Sequence, residues 1–134
     1  MENPLWPYLM GVMSSTHTFD DWKEQTLFES MPVGVSFCTL EGLFVYTNTT
    51  HSRALGYEPD ELILKRTFWD LTIPTDHQES RIAIASGENF GRFGWIHKSW
   101  YHAKGGIVRG RIMGKLLETN GAKYMIAVYD FSSS

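Results

Sequence analysis

Two glycine-centred breaks, Lys104–Gly105–Gly106 and Asn120–Gly121, divide the last third of the chain into three β-type runs: Phe90–Tyr101, Ile107–Glu118 and Lys123–Phe131. Glycine and asparagine reach positive φ at little cost, so such breaks specify tight reversals, and tight reversals join antiparallel neighbours. A third reversal lies earlier. Along Val33–Leu40, Val33, Val35 and Phe37 alternate with Gly34, Ser36 and Cys38; Glu41–Gly42 turns the chain, and Leu43–Thr47 returns it. The pattern therefore predicts five antiparallel strands.

Helix signals fill the space between these two groups. Thr49 or Thr50 is placed to cap His51–Leu55, Gly56 stops it, and Glu58–Leu62 carries Pro59 in its first turn. Thr67–Leu71 reads as another short turn of helix. Pro74, Thr75 and Asp76 open a longer helix to about Ser86, with Gly87 as its stop. A further helix, Asp20–Ser30, precedes the sheet; Thr18 and Asp21 have capping-box spacing, and Pro32–Gly34 ends it. Helices grouped between two sets of strands make an α+β domain, since an α/β chain would alternate them.

Composition excludes several classes of function. The 134 residues are 43% apolar and 20% charged, which is ordinary for one globular domain. The single cysteine, Cys38, forms no internal disulfide and no cysteine-based metal site, so a reducing cytoplasm is the expected compartment. No apolar run approaches the roughly 20 residues of a membrane span. The five histidines, at 17, 51, 77, 97 and 102, lack metal-ligand spacing, and no phosphate loop or nucleophile elbow is present. We read no metal site and no catalytic residue.

The charge is polarised. Residues 1–91 carry 13 acids and 5 bases, whereas 92–134 carry 2 acids and 7 bases. A sequence pI near 5.9 argues against direct nucleic-acid binding. The expected use of the polarity is self-association, with Arg109, Arg111 and Lys115 facing outward to meet the acids Asp20, Asp21, Glu24 and Glu29 of the leading helix of the same or a second chain.

Several short words stand in a telling order. They are Met31-Pro32-Val33-Gly34-Val35, Leu40-Glu41-Gly42, Val45-Tyr46-Thr47-Asn48 and Leu55-Gly56-Tyr57-Glu58-Pro59-Asp60-Glu61-Leu62. Trp69-Asp70-Leu71-Thr72-Ile73-Pro74-Thr75-Asp76, Ala103-Lys104-Gly105-Gly106 and Val128-Tyr129-Asp130-Phe131-Ser132 complete them. In this order the chain resembles a PAS (sensory-box) domain over residues 26–132, with 1–25 as an N-terminal segment and the start of a flanking helix. One departure is Gly105, where the family usually carries Asp between the Lys and the Gly. The resemblance implies a five-stranded antiparallel sheet with short helices on one face, and a non-enzymatic sensory and dimerisation role. It further implies that the module serves a larger signalling protein such as a histidine kinase, a cyclic-di-GMP enzyme or a transcription regulator.

The resemblance also implies an internal pocket without naming its occupant. Phe37, Phe68, Trp69, Ile73, Phe93 and Trp95 are the expected apolar lining, with Asn48, His77 and Lys98 as polar anchors. The simpler reading of the aromatics is a filled core. Flavin photochemistry of the LOV type is excluded, because His51–Arg66 contains no cysteine. Haem would have to use His77, which stands at a wet helix start and is a poor axial ligand. The alternatives to a ligand-binding sensor are a haem- or flavin-bearing redox or gas sensor and a ligand-free interaction module. Phe19, Trp22, Leu27 and Phe28 are the expected dimer contacts, on the leading helix.

Overall fold

The protein was analysed as a computed structural model, which describes residues 28–119 and 121–131. Expectations placed on residues 1–27, including Phe19, Trp22, Leu27, Asp20, Asp21 and Glu24, lie outside the described residues. The chain is helical through Ser30 and then enters β1 (Gly34–Thr39). β2 (Phe44–Thr47) returns beside it. Four helical pieces follow: α1 (Thr49–Ala54), α2 (Pro59–Leu62), α3 (Phe68–Leu71) and, after a 3-10 turn at Pro74–Asp76, α4 (His77–Phe90). The chain closes with β3 (Arg92–Tyr101), β4 (Ile107–Thr119) and β5 (Ala122–Asp130).

The five strands form one antiparallel sheet in the order β2-β1-β5-β4-β3. The expected reversals stand where glycine allows them, but two helix ends fall elsewhere than the sequence suggests. α4 does not stop at Gly87. Gly87 sits inside the helix against Met125, where an added Cβ would lie 2.3 Å from the methionine methyl. The left-handed cap is Gly91, at φ 84°. The buried positions Ser80, Ala83 and Gly87 recur at helical spacing, and their small side chains let α4 lie close on the sheet. Ile82, by contrast, faces solvent. The cap of α1 is likewise neither Thr49 nor Thr50 but Asn48.

Both faces of the sheet are covered, and this decides where the large side chains go. One apolar cluster, with Phe44, Leu55, Leu62, Leu71, Trp100, Ile112 and Tyr129, lies between sheet and helices. A second, with Phe28, Met31, Val33, Val35, Phe37, Ile126 and Val128, lies on the opposite face. Phe28 is fully buried and meets Phe37 edge-on at 5.8 Å between ring centres. It thus packs within the core of its own chain.

The basic strands face as expected. Arg111 and Met113 lie on the outer side, and the unbroken alternation along β4 carries Arg109, paired with Ser99, and Lys115, paired with Ile126, to that same side. Arg111 stacks 4.2 Å over the Trp95 ring and bonds Asp130 at 3.1 Å. Glu29 does not reach these bases. It accepts from the Thr49 hydroxyl at 2.6 Å and from the Tyr46 hydroxyl at 3.2 Å, within the chain.

Candidate functional site

The strand-to-helix junction organises this half of the molecule. Asn48 has no exposed surface and uses every arm of its amide. Its Oδ1 accepts from the Val35 and His51 amides, each at 3.0 Å, and its Nδ2 donates to the Phe28 and Val33 carbonyls at 2.8 and 2.9 Å. One side chain thereby joins the leading helix end, β1 and α1. Beside it, His51 is buried among Phe44, Tyr129 and Phe131, and its Nδ1 meets the Thr47 hydroxyl. Burial holds the imidazole down at about 3, so it is neutral in the folded protein.

Between the sheet and α4 lies a cavity of about 40 Å³. Ser36 and Cys38 of β1 and Ala127 and Tyr129 of β5 line it, with Phe93, Ile96, Lys98 and Trp100 of β3 and Ser80, Ala83 and Ile84 of α4. Small side chains on the helix-facing side of β1 and β5 leave the space. That volume holds a few water-sized groups, since one water needs roughly 10–15 Å³. Drug-sized ligands occupy pockets of about 300–1,000 Å³. A haem or flavin does not fit it.

The polar groups of the cavity are few and specific. Tyr129 Oη and Ser36 Oγ share a hydrogen bond of 2.8 Å, and burial drives the phenol far up. Burial also raises the Cys38 thiol to about 12, so it is no nucleophile at neutral pH. Lys98 is 6% exposed, and its Nζ donates to Ser80 Oγ and, at 3.5 Å, to Thr72 Oγ1. The Phe68 ring lies 5.6 Å from that nitrogen. Desolvation lowers the amine to about 8, against the pull of Asp76 and Glu79.

Of the nine expected pocket residues, the structure brings Phe68, Phe93 and Lys98 together in the cavity. Phe37 and Trp95 belong to the opposite face. For Trp95 the cause is a β-bulge: Phe93 pairs with Gly114 and Ile96 with Ile112, so β3 spends one extra residue there. Phe93 and Ile96 then both face the helices while Trp95 turns outward. For Phe37 the cause is parity, because β1 turns its small residues, Ser36 and Cys38, inward. Asn48 serves as the junction described above. Trp69 donates from Nε1 to the Glu41 carbonyl at 3.1 Å, which pins α3 to the first hairpin turn. His77 Nε2 lies 3.0 Å from the Thr72 carbonyl, and Ile73 donates its N–H to the Ser99 carbonyl at 3.3 Å. Neither lines the cavity. Asp76 makes no helix-cap bond and instead accepts the Ser99 N–H at 2.8 Å, tying the start of α4 to β3.

The sequence reading missed Ser36, Cys38, Ser80, Ala83, Ile84, Ile96, Trp100, Ile112, Met125, Ala127 and Tyr129 as lining residues. A signal for some was present. Small residues recur on one parity of β1, at Gly34, Ser36 and Cys38, and of β4, at Gly110 and Gly114, and that parity faces the helices.

Comparisons with known proteins agree with this architecture. Residues 24–117 match the family model described as PAS fold. No curated protein matches the chain. Among solved structures, the PAS domain of an HTR-like protein from Haloarcula marismortui is 15% identical, with a TM-score of 0.69, over 92% of this chain and 94% of that one. A domain of a sensory box sensor histidine kinase/response regulator from Geobacter sulfurreducens is 20% identical, with a TM-score of 0.67, over 86% and 98%. A PAS domain of a LuxR-family transcriptional regulator from Burkholderia thailandensis, solved in complex with ethanol, is 18% identical, with a TM-score of 0.64, over 82% and 96%. At these identities the likeness is one of fold. Among the described residues no helix is long and apolar enough to cross a membrane.

Proposed function

Because the chain belongs to the PAS family, we propose that it is a non-enzymatic sensory input module whose internal cavity admits a small organic molecule. The observation that carries this reading is the cavity of about 40 Å³ between α4 and the sheet, with a buried amine on its wall. A packed core with no ligand role gains nothing from a desolvated lysine, which costs free energy that an apolar residue would not. The size suits an occupant of a few heavy atoms, and the ethanol complex of the Burkholderia thailandensis PAS domain is a precedent for such an occupant. The module serves a larger cytoplasmic signalling protein, in keeping with the histidine kinase and transcription regulator that supply its structural neighbours.

A thermal-shift screen of small alcohols, amides and acids tests the reading. Binding stabilises by about 2.7 kcal/mol at a ligand concentration a hundredfold above Kd. We expect at least one compound to raise Tm, and Ala83→Leu, which fills the cavity from α4, to abolish the rise. A screen that leaves Tm unmoved for every compound contradicts it. We also propose self-association through the leading helix; light scattering that gives a monomer at every concentration would count against it.

A further inference from the structure

Lys98 is a buried cation without a buried anion. Its Nζ reaches two neutral hydroxyls, Ser80 Oγ and Thr72 Oγ1, and the face of the Phe68 ring. Among the described residues no carboxylate comes within ion-pair distance of it. Asp76, on the 3-10 turn, is committed to the Ser99 amide, and Glu79 on α4 is exposed. The other titratable groups facing the amine are Cys38 of β1 and Tyr129 of β5, both buried and un-ionised. An ammonium has three donors, and the two hydroxyls take two of them. Ala83, Phe93, Ile112 and Met125 give the cavity an apolar lining beside it. Lys98 also borders a separate surface groove lined by Asp76, His97, Ser99, Arg109 and Gly110.

We propose that the cavity selects a short aliphatic monocarboxylate, whose carboxylate pairs with Lys98 and the Ser80 hydroxyl while its alkyl end fills the apolar wall. The inference rests on the cavity being a ligand site and adds the chemical class of the ligand. A bound carboxylate supplies the missing counter-charge where low dielectric makes a pair strongest. The volume limits the tail to a few carbons.

The test compares sodium propionate with propionamide and 1-propanol, which match its shape without its charge, by calorimetry on the whole chain. The proposal expects propionate to bind at least about tenfold more tightly than either neutral compound near pH 6.5. That preference should vanish near pH 9.5, because the amine loses its proton at about 8. Lys98→Met should remove the preference at both pH values, and the wild-type pH comparison stands without the variant should it fold poorly. Equal binding of all three compounds overturns the carboxylate assignment and leaves the cavity reading intact. A preference that persists near pH 9.5 also overturns it. No binding of any of the three overturns the carboxylate assignment, and the thermal-shift screen then decides the cavity reading by itself.

Discussion

Asn48→Ala is expected to destabilise the protein by about 3–5 kcal/mol. The substitution removes four hydrogen bonds at once and leaves two amides and two carbonyls of the buried junction without partners. Each buried orphan costs roughly 1–3 kcal/mol, with some relief from water or relaxation. A domain of this size has only about 5–15 kcal/mol of stability, so the variant should be largely unfolded by mild heating or low urea. Thr50→Ala supplies the control. The sequence offers Thr50 as a cap of the same helix, but its hydroxyl donates one bond, to the Met31 carbonyl at 2.7 Å. We expect that variant to lose about 1 kcal/mol. Urea midpoints for the two proteins decide the matter, and equal losses would show that Asn48 does not organise the junction.

Acid is expected to unfold the protein through His51. The imidazole titrates near its ordinary 6.5 in the unfolded chain and near 3 when folded. Between those limits the unfolded state binds more protons, so stability is fully present above about pH 6.5 and falls with pH. The loss is on the order of 2 kcal/mol at pH 5 and grows until the folded state itself takes up the proton near pH 3. His51→Asn, which keeps an acceptor toward Thr47 and does not titrate, should be less stable at neutral pH and flatter between pH 7 and pH 5. Chemical denaturation at the two pH values measures both. If the variant loses as much stability as wild type over that interval, another group is responsible.

The sequence carried the element order because reversals and helix starts are local chemistry. Asn120–Gly121 and Glu41–Gly42 reverse the chain whatever surrounds them, and Pro59 opens α2 where its missing N–H does no harm. Which face of a strand looks at the helices is not local. Alternation along Val35, Ser36, Phe37 and Cys38 defines two faces, and when both are buried the larger residues do not mark the cavity side. The cavity exists because the smaller ones do. The bulge between Phe93 and Ile96 was equally hidden, since one extra residue in β3 reverses the parity of everything before it. Asp76 shows a third limit. A carboxylate at a helix start reads as a cap, yet this one satisfies a strand amide 23 residues away. Lys98, in contrast, was legible as an anomaly: a charged residue in an apolar run is seldom buried without a use.

The two-sided sheet supplies its own control for the ligand cavity. Methyl NMR can follow Met125, Ile84, Ile96 and Ile112 on the cavity side together with Met31, Met113 and Ile126 on the outer side. Titration with propionate and 1-propanol should move the first set in a saturable way and leave the second set still. Shifts confined to the outer methyls, or none at saturating compound, would contradict a ligand chamber between α4 and the sheet.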